Sequence, residues 1–161
     1  MELNYLENHS SEYIQLSPFF IFDSDIEFQN YSFKSVYVFL ESLKISDEKK
    51  RVDMLKYFSN ISNIRKLYSL TNGKLSYTKH FNRMKAESIS FNNTDIPIPS
   101  IEFNTFIQNL FLSIATSNGA YKYALMSIKS QDLCVPELDG KTSLEILSAS
   151  EYCRLIKNVS F

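Results

Sequence analysis

The sequence predicts a mainly α domain with a small β element near its N-terminus (α+β), and three observations lead there. Apolar residues recur at steps of three and four through most of the chain, the period of a helix with one inward face. Two short aromatic and β-branched runs lie between residues 17 and 33, separated by polar residues. The 161 residues include only 3 Gly and 4 Pro, too few for the many tight turns of an all-β fold.

The elements follow in order. Ser17 to Phe33 reads as a small hairpin or a pair of extended segments. From Ser35 to Ile45, the apolar residues Val36, Phe39, Leu40 and Leu43 mark one buried helix face, with Ser35 as N-cap. Ser46-Asp47-Glu48 opens a second helix, a serine cap followed by acids, whose inward residues are Val52, Leu55 and Phe58 with Met54 alongside. Residues 60 to 70 repeat the pattern, and Asn72-Gly73 closes that helix. Residues 74 to 99 read as a short helix and then a long exposed loop, with the basic cluster Lys74, Lys79, His80, Arg83 and Lys85 as a solvated face. Ser100 caps the longest helix signal, with Ile101, Phe103, Ile107, Leu110, Phe111 and Ile114 inward. Asn118-Gly119 breaks it, Tyr121 to Ile128 forms another helix, and a last helix runs from about Thr142 to Lys157. At this length one core is expected, so residues 1–161 read as a single domain.

Composition narrows the function classes. A formal charge of −1 provides no general attraction to nucleic acid or to an anionic membrane, and no run of the chain is apolar enough to span one. Cys134 and Cys153 stand far apart and read as reduced thiols in a cytoplasmic protein. The only histidines are His9 and His80, no metal-ligand spacing occurs, and no cofactor is indicated. Much Asn, Ser, Lys, Ile and Phe with little Gly and Ala indicates an AT-rich coding source such as a T-even-like bacteriophage, which would place the protein in the host cytoplasm.

The order of short motifs carries the reading further. Leu16-Ser17-Pro18-Phe19-Phe20 precedes Phe33-Lys34 and then Ser35-Val36-Tyr37-Val38-Phe39-Leu40-Glu41-Ser42-Leu43-Lys44-Ile45. Asn60 to Leu67, Ile107 to Gly119 and Tyr121 to Leu133 follow with similar gaps. In this order the chain resembles the NADAR/YbiA-like family over about residues 12 to 133. That family opens with an aromatic Leu-Ser-x-Phe segment and continues into a Ser/Thr-Val-Glu-His-Tyr-Phe-Gln-x-x-Lys-Phe helix. The resemblance implies a divergent NADAR/YbiA-like domain of N-glycosidase descent, with a pocket for a nucleotide or ADP-ribose-like ligand.

Characterised members cleave the bond between a ribose and a nitrogen, on riboflavin-pathway intermediates and on ADP-ribosylated guanine. Such chemistry passes through an oxocarbenium-like state that a neighbouring carboxylate stabilises. At the family's glutamate position this chain has Tyr37, and at the following histidine it has Val38. A phenol with a pKa of about 10 carries no charge at neutral pH and is a poor base there. The family's tryptophan has no counterpart, because the chain has none, and the late acidic segment is reduced to Glu137-Leu138-Asp139-Gly140.

Glu41, one helical turn after Tyr37, is the replacement carboxylate, or else a glutamate on the helix surface. Lys44 matches the family lysine and pairs with Glu41 or holds a phosphate, against the plain reading of a solvated lysine. Tyr37 stacks on a base or ribose, or packs as an ordinary tyrosine. Ser17 and Phe19 occupy the loop that meets the family's pocket, and Asp139 is a further ligand contact. Three readings stay open: a ligand-binding protein without N-glycosidase activity, an effector that engages a host protein, and an active N-glycosidase using a relocated carboxylate.

Overall fold

The computed structural model describes residues 14–18, 20–43, 45, 47–60, 88–91, 94–98, 100–128 and 149–159. These form an α+β arrangement. A 3-10 turn, Ile14–Leu16, leads into the hairpin β1 (Ile26–Phe28) and β2 (Tyr31–Phe33). Helices α1 (Val36–Ser42) and α2 (Glu48–Ser59) follow, then a second hairpin of β3 (Ser88–Phe91) and β4 (Thr94–Pro97). Helices α3 (Ile101–Ser117), α4 (Gly119–Ser127) and α5 (Ala149–Lys157) complete the described chain.

In the first hairpin Ile26 pairs with Phe33, Glu27 with Ser32 and Phe28 with Tyr31, antiparallel. The period of two sends Ile26, Phe28, Tyr31 and Phe33 inward and Glu27 and Ser32 outward. The connection is Gln29-Asn30, both with positive φ, 52° and 73°. That pair of left-handed residues matches the right-handed twist of the flanking strands.

The first hairpin confirms the extended reading of the N-terminal segment. The second corrects the long loop read up to residue 99. Its register runs from Ser88 opposite Pro97 to Phe91 opposite Thr94. Ile89 and Phe91, two apart on β3, are both buried, so the alternation Ser-Ile-Ser-Phe is a strand signal. Pro97 sits at the end of β4, where a missing N–H costs no central ladder bond.

Further details differ from the sequence reading. Ser35 occupies the N-cap position of α1, but its hydroxyl makes no cap bond; Oγ donates instead to the Pro18 carbonyl at 2.9 Å, which also accepts from the Tyr37 N–H at 2.8 Å. The cap of α2 is Asp47, whose side chain accepts from the Lys50 N–H at 3.0 Å. Ile101 is 84% exposed, because it is the first residue of α3 and precedes the first inward turn. Helix α1 has no solvated face, since all seven of its residues are buried. Asn60, read as the start of a further helix, ends α2 as its C-cap; residues 61–70 of that reading, the basic cluster after it, and residues 142–148 of the last helix lie outside the described residues.

Capping by Ser100, whose Oγ accepts from the Phe103 N–H at 3.0 Å, starts α3 as the sequence indicates. Asn118 ends α3 and caps α4, its side chain accepting from the Tyr121 N–H at 2.9 Å. One core cluster extends from Leu16 to Val159. Aromatic rings dominate its centre: Phe33 stacks on Phe39 at 4.5 Å, and Phe28 and Phe91 meet Phe106 edge-on at 5.5 and 4.9 Å. These contacts join both hairpins to α1 and α3. Pairs of this kind add about 0.5–1.5 kcal/mol each beyond area burial. On the far side of α3, Phe111 meets Tyr152 of α5 at 5.6 Å, and the Tyr152 hydroxyl donates to the Leu16 carbonyl at 2.7 Å.

Candidate functional site

The helix α1 that carries the family-like motif is held from three directions. Its N-terminus is tied to Pro18 by Ser35 and Tyr37. Its rings pack under the first hairpin. Its C-terminus is closed by Arg51 of α2, which is 1% exposed. Arg51 donates from Nε to the Ser42 carbonyl at 3.1 Å and from Nη2 to the Ile45 carbonyl. A cation at the carbonyl end of a helix is favourable, because the peptide dipoles leave that end negative. Nη1 donates to the Tyr31 hydroxyl at 3.1 Å, and the guanidinium carbon lies 5.7 Å from the centre of the Tyr31 ring.

Tyr31 in turn donates to Glu48 Oε1 at 2.7 Å. Burial and that hydrogen bond raise the Tyr31 pKa above its ordinary value, and Arg51 pulls in the opposite direction. A carboxylate, a phenol and a guanidinium thus bind β2, α1 and α2 into one unit. Arg51 is enclosed in this unit, whereas the Glu48 side chain is 70% exposed and Tyr31 lines a cleft.

Of the residues singled out by sequence, Ser17, Tyr37 and Glu41 are buried, at 1%, 1% and 2% exposure. Tyr37 and Glu41 stand one turn apart on α1, as their spacing requires. Glu41 is therefore not a surface glutamate. Phe19, Lys44 and Asp139 lie outside the described residues, as do His9, His80 and Cys134. Cys153 is buried on α5. Among the described residues no cluster of His, Cys, Asp and Glu could hold a metal ion, and no helix is long and apolar enough to cross a membrane.

Among the described residues a small recess and a larger cleft open beside this unit, and neither is lined by Ser17, Tyr37 or Glu41. The smaller, about 10 Å³ between Lys34, Ser35 and α2, has room for a single water. The larger is a cleft of about 270 Å³ between the first hairpin and α2. The hairpin side contributes Asp25, Asn30, Tyr31 and Ser32, and α2 contributes Val52, Leu55, Lys56 and Ser59. Val52, Leu55, Lys56 and Ser59 follow the i, i+3, i+4, i+7 spacing of one helix face, which is why they share a wall.

Chemically the cleft offers one carboxylate, one ammonium, an amide, two serine hydroxyls and the Tyr31 phenol beside an apolar strip of Val52 and Leu55. The Ser59 hydroxyl donates to the Lys56 carbonyl at 2.6 Å, leaving its lone pairs to accept. Such a mixture of apolar wall and few convergent polar groups is the usual make-up of a small-molecule site, and the volume lies just below the usual range of about 300–1,000 Å³.

Val52 and Leu55 are legible in the sequence as inward helix residues, but none of the polar cleft residues, nor Arg51, stands out there. Arg51 closes the run Lys49-Lys50-Arg51, three basic residues with nothing in their types to set one apart. The available signal was its phase: Leu55 and Phe58 follow at i+4 and i+7, so Arg51 shares their inward face. Comparison with known family profiles, with characterised proteins and with solved structures finds no match.

Proposed function

We propose that this protein binds a nucleotide or ADP-ribose-like small molecule in the cleft between the first hairpin and α2, without N-glycosidase activity. The observation that carries the reading is the cleft itself: a concave site of about 270 Å³ with convergent polar groups on a pinned framework. The loss of chemistry is supported by the burial of Glu41, the one carboxylate of α1, which lines neither recess. A glycosidase acting through Glu41 would need that carboxylate beside the sugar. A divergent NADAR/YbiA-like scaffold of bacteriophage origin, working in the host cytoplasm, belongs to the proposal through the order of its motifs.

Calorimetric titration with ADP-ribose tests the binding. Saturable binding that is lost when Val52→Trp fills the cleft supports the reading, as does the absence of free base from N-ribosyl substrates. No heat of binding at millimolar ligand, or base release abolished by Glu41→Gln, would sink it.

A second reading, an effector that engages a host protein, is favoured by α4. Tyr123 and Met126 are 62% and 57% exposed and lie one helical turn apart. Under that reading, Tyr123→Ser with Met126→Ser abolishes partner capture and leaves ligand titration unchanged.

A further inference from the structure

We infer that the part of the ligand taken into the cleft is an uncharged ring carrying a vicinal diol, and that any phosphate stays in solvent. The inference rests on the cleft being the binding site, as proposed above.

The charges of the cleft decide against phosphate. Asp25 and Lys56 cancel formally. The cleft runs along the last two turns of α2, which ends at Ser59, and the free carbonyls of a helix end amount to about half a negative charge. Lys56 stands in that last turn, where a cation offsets the dipole. Phosphate sites are built the other way round, on helix N-termini, backbone N–H nests or forked arginines. The N-terminus of α2 is capped by Asp47, and no arginine lines the cleft. Arg51 directs its guanidinium to Ser42, Ile45 and Tyr31.

The remaining chemistry suits adjacent hydroxyls. A carboxylate accepts from two neighbouring O–H groups at once, which Asp25 supplies at the exposed edge of the cleft. Asn30 and the Ser32 hydroxyl both donate and accept, the Ser59 hydroxyl, its proton given to the Lys56 carbonyl, accepts, and the Lys56 ammonium donates to a ring or hydroxyl oxygen. The C–H face of such a ring packs on Val52 and Leu55. In a nucleotide the ribose meets these groups; a free sugar would present the same diol.

The test compares adenosine, AMP, 2′,3′-dideoxyadenosine, ADP-ribose and D-ribose by titration on the whole chain. Adenosine and AMP are expected to bind within about threefold of each other, and the dideoxy compound, which lacks both O–H donors to Asp25, at least about tenfold more weakly. Asp25→Asn, a change at an exposed position, is expected to shrink that diol preference. If D-ribose binds as well as adenosine, the diol chemistry holds and its source is a free sugar. AMP binding more than about tenfold tighter than adenosine, or equal binding of the dideoxy compound, overturns the inference while the proposed function stands. No binding by any of the five overturns both.

Discussion

Arg51 on α2 donates to the hydroxyl of Tyr31 on β2 at 3.1 Å, and that hydroxyl passes its own proton bond to Glu48 Oε1 at 2.7 Å. The Arg51–Glu48 pair itself is long, 3.8 Å, with the glutamate side chain 70% exposed, so its direct charge attraction adds little. What matters is that Arg51 satisfies two carbonyls and a phenol inside the core. It closes α1, sets the start of α2 and holds the hairpin wall of the cleft.

Replacing Arg51 by Met should cost about 3 kcal/mol or more, because it strands the Ser42 and Ile45 carbonyls. Lys49→Met, at an exposed position on the same helix, should change stability by less than about 0.5 kcal/mol. Urea unfolding of both variants checks the contrast. Similar midpoints would show that Arg51 is not the brace described.

Tyr121 is the opposite case. Its hydroxyl is buried with no hydrogen-bond partner among the described residues, and it bears on the ionisation of Tyr152. An unpaired buried hydroxyl costs about 1–3 kcal/mol, so Tyr121→Phe should leave stability unchanged or raise it by about 1 kcal/mol. A clear fall in the unfolding midpoint would reveal a partner for that hydroxyl.

Alkaline pH should unfold the protein through its tyrosines. Burial raises the pKa values of Tyr31, Tyr121 and Tyr152 above the ordinary 10.0. The folded state then holds these protons more tightly than the unfolded state. Their contribution is fully present below pH 10.0 and is lost as pH rises through that value towards the folded pKa values. Phenolate absorbance from these three should therefore appear together with loss of helical circular dichroism. Phenolate formation at ordinary pH in a protein that stays folded would contradict it.

Gln29 holds φ at 52° in the hairpin turn. A left-handed residue with a Cβ costs about 1–2 kcal/mol, and glycine returns about 0.4–1 kcal/mol of that through the unfolded chain. Gln29→Gly should therefore stabilise by about 0.5 kcal/mol, measured by urea unfolding. Destabilisation would mean that the glutamine side chain contributes more than its backbone strain.

Particular residues show how far sequence reading reaches. Ser100 and the inward residues from Phe103 to Ile114 make α3 legible from cap and period alone. The first hairpin is legible from its aromatic runs. The second is obscured by Pro97 and Pro99, which suggest a loop, although Ser88 to Phe91 alternates in strand phase. For α1, periodicity yields one face, whereas the continuous apolar run Val36 to Leu40 is the better guide to a helix enclosed on all sides. The spacing of Tyr37 and Glu41 is correct in sequence, but spacing carries no information about what covers them. The cleft is the least legible feature, since Asp25, Asn30 and Lys56 are ordinary surface residues until the hairpin and α2 are brought together by Arg51.

The most direct test of this account is a backbone amide NMR titration with ADP-ribose. Saturable shift changes centred on Asp25, Asn30, Ser32 and Lys56, with no base released, are the predicted result. No shifts at millimolar ligand, or shifts centred on Tyr37 and Glu41 instead, would contradict it.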